Sequence, residues 1–379
     1  MRCVTFDEIN TRLDNEQKTR RLSSGFVKHV MTLLRLLFFA TCAAFLTSCT
    51  QNTKQTTTTS STRTSNQVVL YCSVDEVYAR PIINALEQKT GLRIRALFDV
   101  EAAKTAGLAT RLRAEKNSPR ADVFWSSATL QTLLLSNENL LENYAPPTAQ
   151  NLPQMWRGKN WVSTGTRCRV LVYNAREKQP PVVLEDLLLP RFQNKIGISN
   201  ALFGTGSDWA AALAARRGND NALNFFRRLK ANGARVLPGN SVVAERVGRG
   251  ELLAGVCDTD DFLALQKQFP DLRISLPRNP KLPNDLVFVP MTAAITRNAP
   301  HLQNAQKLMD ALCSTETEAQ IVRSMPGVLP IRAPWNDVPA SVAPLKNELA
   351  KSRGDVEKWP GSWQKINAPL SDILLRDRM

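Results

Sequence analysis

The feature that most constrains the fold is an alternation of short apolar runs with longer amphipathic stretches. It begins at residues 68–72 (Val-Val-Leu-Tyr-Cys), and similar runs follow at 92–97 and 122–125. Between them, the patterns over 75–86, 99–116 and 128–136 predict helices, the first of which is closed by Gly91. Strands alternating with helices are typical of a parallel sheet covered by helices.

The second half of the chain repeats this style without a sequence repeat of fixed period. Strands are predicted over 169–173, 195–198, 235–237, 252–257 and 287–295. Helices are predicted over 206–216, 219–231, 241–248 and 300–312, and the tail after Trp335 is expected to be less regular. The fold class is therefore α/β, with two lobes of similar construction.

The N-terminal part indicates export. Residues 1–48 hold Arg35 and an apolar run over 36–46, and then Leu-Thr-Ser leads to Cys49. A basic segment, a short apolar run and small residues are typical of a signal peptide. The ending resembles the lipobox of bacterial lipoproteins, which implies that Cys49 becomes the lipidated first residue of the mature chain. The alternative is a plain signal peptide that contains Cys49. The tract over 49–67 is rich in Thr and Ser and is predicted to be a flexible tether.

Charge and residue usage exclude several function classes. The net charge is +15, but the Lys and Arg residues are scattered, which argues against nucleic acid as a partner. After the signal peptide the chain holds one histidine, His301, which argues against His-based triads and multi-His metal sites. Four cysteines remain after Cys49, far apart, so a zinc site is not indicated, whereas one or two disulfides are possible: Cys72, Cys168, Cys257 and Cys313.

The candidate ligand-binding residues follow the predicted strands or begin the next helix. In an α/β sheet, ligands bind beyond the carboxyl ends of the strands. The residues placed there are small, polar or acidic: Asp75, Ser126, Ser127, Gly206, Ser207, Asn240, Ser241, Asp258 and Asp260. The set suits a polar or charged small solute, and it lacks an evident nucleophile–base pair, so the chain is not expected to be an enzyme.

Each candidate has a structural alternative. Gly206 and Ser207 are predicted to begin a helix whose free N–H groups bind an anion, but Ser207 or Asp208 can instead cap that helix. Asn240 can likewise be an N-cap. The acidic cluster after residue 257 can bind a hard cation or an ammonium group, or its Asp260 can cap the helix from 262.

Six short phrases in a fixed order carry a family resemblance. They read Tyr-Cys-Ser-Val-Asp-Glu at 71–76, Ala-Asp-Val-Phe-Trp at 121–125, Asn-Ala-Leu-Phe-Gly-Thr-Gly at 200–206, Gly-Asn-Ser-Val-Val at 239–243, Asp-Thr-Asp-Asp at 258–261 and Phe-Val-Pro at 288–290. Together they resemble the extracellular solute-binding proteins of ABC importers, in the branch similar to ferric-iron-binding periplasmic proteins.

The resemblance implies a two-lobed periplasmic-binding-protein architecture of type II, with hinge strands between the lobes. We expect one lobe over 68–165 and about 290–325, and the other over about 166–289 and 326–379. The chain departs from the ferric-binding pattern after residue 257, where Asp258 and its neighbours stand in place of adjacent tyrosines.

The resemblance implies capture of a small solute by hinge closure and its delivery to a membrane permease. Two ligand classes stay open: ferric iron or another metal held by Asp75 and Asp258, or an anionic or organic solute such as a phosphonate. No cofactor is expected. We expect a monomer on the periplasmic side of the cell envelope, anchored to the membrane by lipid on Cys49. The alternative is an extracytoplasmic enzyme on the same scaffold.

Overall fold

The computed structural model describes residues 66–99, 106–150, 152–278, 286–352 and 354–375. The predicted signal peptide, Cys49 and all but the last two residues of the tether lie outside this part. The strands are β1 (Gln67–Cys72), β2 (Arg93–Phe98), β3 (Val123–Ser126), β4 (Val162–Asn174), β5 (Ile196–Ser199), β6 (Arg235–Leu237), β7 (Ala254–Asp258), β8 (Leu272–Ser275) and β9 (Phe288–Ile295).

Eleven α-helices are described, together with several short 3₁₀ turns. They are α1 (Glu76–Thr90), α2 (Ala106–Ala114), α3 (Leu130–Asn137), α4 (Gly204–Arg217), α5 (Asn219–Ala231), α6 (Asn240–Gly248), α7 (Thr259–Gln266), α8 (Leu302–Leu312), α9 (Thr315–Ser324), α10 (Leu345–Lys351) and α11 (Trp359–Leu375). None of these described helices combines the length and the apolar character that a bilayer crossing requires.

The sheet has apolar side chains on both faces, because helices cover both. Along β1, Leu70 and Cys72 belong to one core cluster, whereas Tyr71 belongs to the other. Successive side chains of a strand point to opposite faces, so one short apolar run supplies both cores. Helix α1 then ends at Gly91, whose φ of 68° is the left-handed conformation that glycine adopts without steric cost.

The strand order is β2-β1-β3-β9-β4-β7-β5-β6, with β8 also paired to β4. Strands β1, β2 and β3 are parallel, and so are β5, β6 and β7. The long strand β4 joins the two groups, since its first half pairs with β9 and its second half with β7. The α/β fold class is confirmed, and the carboxyl ends of both parallel groups are placed to meet one cleft. The lobe boundaries stay a prediction.

The sequence pattern did not predict strand β8 or helix α9, and the structure differs from the prediction at three further places. Strand β4 begins at Val162, well before the expected residue 169, because polar residues 163–167 are buried in the sheet. Helix α7 begins at Thr259 and not at residue 262. The tail expected to be irregular forms α11, a 17-residue helix that contacts α4 and α5. Its Pro360 lies in the first turn, where the missing N–H costs no helical bond.

The described cysteines do not form disulfides. Cys72, Cys168, Cys257 and Cys313 are all free and buried. They therefore act as small apolar core residues, and the disulfides that the sequence allowed are not formed among them.

Candidate functional site

A cleft of about 1270 Å³ lies at the carboxyl ends of the strands. The first turns of four helices reach it, namely α1, α4, α6 and α7. Six of the residues predicted from strand ends line it: Asp75, Ser127, Gly206, Asn240, Ser241 and Asp260. The three others, Ser126, Ser207 and Asp258, are buried behind its wall.

Asp258 is the centre of a buried polar network. Its carboxylate accepts hydrogen bonds from Arg169 Nη1 at 3.0 Å, Thr205 Oγ1 at 2.5 Å and Asn240 Nδ2 at 3.1 Å. Arg169 also donates to Asn240 Oδ1 at 2.8 Å, and its guanidinium lies 5.3 Å from the ring centre of Trp209. The side chains of Asp258 and Arg169 are 0% and 1% exposed, so the pair is held away from water. The network ties the starts of α4, α6 and α7 together.

Arg167 on β4 lines the cleft and links its two sides. Its Nη1 donates to Asp260 Oδ2 at 2.9 Å, and its Nη2 donates to the carbonyl oxygen of Ser127. Its Nε is buried and has no hydrogen-bond partner among the described residues. Although burial lowers the pKa of Arg167, the carboxylates of Asp260 and Asp258 raise it more, so the guanidinium stays charged. Burial raises the pKa of the Asp260 carboxyl, and Arg167 opposes that rise.

Three serines connect the ends of β1 and β3 beside the cleft. Ser73 Oγ donates to Ser126 Oγ and lies 3.4 Å from Ser127 Oγ, and it accepts the backbone N–H of Ser127 at 3.0 Å. Ser126 Oγ donates to the carbonyl oxygen of Ala128 at 2.6 Å. Ser126 thus fixes the turn after β3, whereas Ser127 faces the cleft.

The start of α4 is built around Gly206. A Cβ at this position would lie 2.6 Å from the carbonyl oxygen of Asn200, so only glycine lets the helix approach the preceding loop this closely. Ser207 Oγ donates back to the Gly204 carbonyl oxygen at 2.7 Å. Helix α4 has no side-chain cap, and its first N–H groups have no partner within the helix.

Asp208 caps a different helix from the one it lies in. Its Oδ1 accepts the backbone N–H groups of Thr129 at 3.0 Å and Leu130 at 2.6 Å, at the start of α3. Its Oδ2 is buried without a described partner. Burial raises the pKa of Asp208 to about 7, although both backbone hydrogen bonds and Arg167 lower it. The carboxylate points away from the α4 N-terminus and leaves that N-terminus open to the cleft.

Helix α6 also begins at the cleft without a side-chain cap. Gly239 occupies its N-cap position, and Asn240 turns its side chain to Thr205 and Asp258 instead of capping. Ser241 is exposed at the cleft surface. Two uncapped helix N-termini, those of α4 and α6, therefore face one cavity.

The carboxylates of Asp75, Asp260 and Asp261 lie on the other walls, with the buried Asp258 behind them. Oxygens of Asp258, Asp260 and Asp261 come within 4.8 Å of one another. Asp75 lines the cleft at the N-cap position of α1, where its side chain makes no capping bond. Of the chain's four tyrosines, Tyr78 lines the cleft.

Sequence reasoning missed both arginines and the cap made by Asp208. Arg167 and Arg169 stand two apart on β4, but their partners Asp260 and Asp258 are 93 and 89 residues away. The available signal was a polar run with two arginines entering an apolar strand, where buried charges need partners.

Comparison with known proteins identifies the family. The family model for bacterial extracellular solute-binding proteins matches residues 69–324. The chain belongs to this family. The resemblance predicted from the six ordered phrases is thereby confirmed.

Two kinds of relatives in this family differ in their named ligands. A Salmonella typhimurium periplasmic protein named for binding 2-aminoethylphosphonate is 26% identical over 276 residues, covering 70% of this chain and 77% of the relative. The major ferric iron-binding protein of Neisseria meningitidis serogroup B is 26% identical over 261 residues, covering 66% and 76%. Both relatives are named for the solute that they bind.

Solved structures of other proteins share the fold. Iron-bound HitA from Pseudomonas aeruginosa matches 82% of this chain and 99% of its own length, with a TM-score of 0.70 and 21% identity. The periplasmic binding protein AfuA from Actinobacillus pleuropneumoniae, with fructose-6-phosphate bound, matches 81% and 98%, with a TM-score of 0.65 and 19% identity. These matches confirm the predicted two-lobed architecture.

Proposed function

We propose that this solute-binding protein captures a small phosphonate or phosphate monoester and delivers it to an ABC permease. The observation that carries the proposal is the pair of uncapped N-termini, of α4 and α6, on one cleft. Free N–H groups and the positive end of the helix dipole favour an anion at such a place. The names of the Salmonella protein and of the AfuA complex support the same ligand class.

Arg167 strengthens this anion seat, which we define as the starts of α4 and α6 with Arg167. Its side chain is 11% exposed at the cleft, and its Nε has no described partner. A buried N–H group without an acceptor is costly, and an oxyanion that reaches Arg167 Nε when the cleft closes would supply that acceptor.

The carboxylates of the cleft fit a ligand that also carries an ammonium group. Asp75 and Asp261 line the cavity that the anion seat opens into. An aminoalkylphosphonate presents an anion and a cation on one short chain, so both ends find opposite charge. We therefore assign Asp75 and Asp261 to the ammonium end, and Gly206, Asn240 and Ser241 to the phosphonate end.

Ferric iron is the second candidate, favoured by the cluster of Asp258, Asp260 and Asp261. Two of these carboxylates are already neutralised: Asp258 by Arg169 at 3.0 Å and Asp260 by Arg167 at 2.9 Å. Cationic guanidinium groups so close oppose a trivalent cation by Coulomb repulsion. The anionic solute is accordingly the first candidate.

The transport cycle follows from the shared strands. Strands β4 and β9 connect the two parallel groups, so a change in their twist closes the cleft on a ligand that contacts both sides. We propose that the chain works as a monomer, held at the periplasmic face of a membrane by lipid on Cys49. It releases the solute to the permease without chemical change.

Isothermal titration calorimetry with four compounds tests the proposal. The compounds are 2-aminoethylphosphonate, ethylphosphonate, which lacks the amine, ethanolamine, which lacks the phosphonate, and ferric citrate. We expect 2-aminoethylphosphonate to bind most tightly, ethylphosphonate more weakly, and the other two not at all. Tight ferric binding with no phosphonate binding would replace this assignment by the second candidate.

A variant of the protein distinguishes contacts with the ammonium end of the ligand from contacts with its phosphonate end. Asp261→Asn is expected to weaken 2-aminoethylphosphonate binding and to leave ethylphosphonate binding unchanged, because it removes only an ammonium partner.

Mass spectrometry of the ligand recovered after incubation provides the control for catalysis. Intact ligand agrees with transport, whereas a converted product would favour the enzyme alternative.

A further inference from the structure

The cleft is larger than a bare phosphonate requires. Its volume of about 1270 Å³ exceeds the roughly 300–1,000 Å³ that commonly encloses a drug-sized ligand. One end of the cleft is lined by residues of α5, β6 and α11. We call this end the basic arm, and its residues are Lys230, Ala234, Arg235, Val236, Leu374 and Leu375.

Two cationic side chains, those of Lys230 and Arg235, line the basic arm. Lys230 lies in the last turn of α5, and its Nζ donates to the carbonyl oxygen of Leu374 at 3.1 Å. Arg235 is exposed on β6, and its guanidinium makes no hydrogen bond or ion pair with any described residue. Leu374 and Leu375 supply an apolar wall beside them.

The sheet topology separates this arm from the acidic wall, which we define as Asp260 and Asp261, the cleft carboxylates that follow β7. Strand β6 is the edge strand, and β5 lies between it and β7, which leads into Asp258. Two strand spacings amount to about 10 Å. The anion seat uses the helices that follow β5 and β6, so it lies between the acidic wall and the basic arm.

We propose that the basic arm is a second anion subsite, which selects phosphonates or phosphate esters that carry a carboxylate at the far end. The inference rests on the proposed function, because the arm is reached from the anion seat. Arg235 lies two residues before Leu237, the last residue of β6, which places its Cα about 7 Å further from the seat. A linker of about three methylenes lets a carboxylate meet the side chain of Arg235 across that distance.

A matched pair of ligands tests this subsite on the purified full chain. Phosphonobutyrate carries the terminal carboxylate, and butylphosphonate has nearly the same length without it. We expect calorimetry to give about fivefold tighter binding for phosphonobutyrate, the upper range for an ion pair at an exposed site. In Arg235→Gln the advantage disappears, while the affinity for butylphosphonate is unchanged.

Arg227→Gln is the matched control, since Arg227 is an exposed arginine on α5 outside the cleft. It should keep the fivefold advantage. Equal affinity of both compounds for the unaltered protein would overturn the subsite but not the anion seat. Equal weakening of both compounds in Arg235→Gln would also overturn the subsite. If neither phosphonate binds, the proposed function fails and the subsite fails with it.

Discussion

Replacing Asp258 by alanine should be among the most destabilising single changes at the cleft. The carboxylate is 0% exposed and accepts three hydrogen bonds, from Arg169, Thr205 and Asn240. Its removal leaves the Arg169 guanidinium, 1% exposed, without its counter-charge. Breaking a buried ion pair on one side costs about 3–5 kcal/mol. That is a large fraction of the roughly 5–15 kcal/mol by which a typical protein is stable.

Urea unfolding followed by circular dichroism measures this loss. With a denaturant slope of about 3 kcal/mol/M, the midpoint should fall by about 1 M or more. Asp337→Ala is the matched control, because Asp337 pairs with Arg323 at 3.3 Å on the surface, with side chains 44% and 55% exposed. An exposed pair of this kind contributes no more than about 1 kcal/mol.

A double variant distinguishes the loss of charge balance from the loss of packing. Asp258→Leu with Arg169→Met removes both charges, so no uncompensated ion remains in the interior. We expect this protein to be more stable than Asp258→Ala alone. A loss below about 1 kcal/mol for Asp258→Ala, or a double variant less stable than the single one, would refute the assigned role of the network.

The remaining predictions concern the helix starts and the buried titratable groups. Gly206→Ala should weaken phosphonate binding at least tenfold in calorimetry, because the added Cβ would lie 2.6 Å from the Asn200 carbonyl oxygen. Gly361→Ala is the control, because a Cβ there meets open space, and it should bind phosphonate normally. Equal affinities of the two variants would contradict the role of Gly206. Burial raises the pKa of Asp208 from 3.8 to about 7, so the folded state holds the proton more tightly and its stability falls as pH rises through that window. As pH rises through this window, the free energy of unfolding of the unaltered protein should fall by at most about 4 kcal/mol relative to that of Asp208→Asn. Parallel pH curves for the two proteins would exclude the raised pKa of Asp208. Burial raises the pKa of the four described thiols, those of Cys72, Cys168, Cys257 and Cys313. They should therefore react with a thiol reagent only after unfolding. Rapid labelling of the native protein would contradict this prediction.

The part of the fold that the sequence could predict is the part with strong apolar periodicity. The run ending at Cys72 forms β1, and the helix expected after it ends at Gly91 in the left-handed conformation. The first half of β4 could not be predicted, because Ser163 and Thr166 are polar yet 0% exposed between neighbouring strands. Local patterns carry no information about burial that distant segments impose.

The candidate site likewise has a part that the sequence could predict and a part that it could not. The rule that ligands bind at strand ends placed Asp75, Ser127 and Asn240, all of which line the cleft. Their roles as ligand contacts stay predictions. The partners of Arg167 and Arg169 were out of reach, because those ion pairs close loops of 93 and 89 residues. A long-range charge pair has no local sequence signature.

A crystal structure of the protein with a bound phosphonate tests the anion seat most directly. We expect the phosphonate oxygens to accept hydrogen bonds from the first backbone N–H groups of α4 and α6, with Arg167 Nε as a further donor. A phosphonate bound elsewhere in the cleft, or a metal ion held by Asp258, Asp260 and Asp261 in its place, would contradict it.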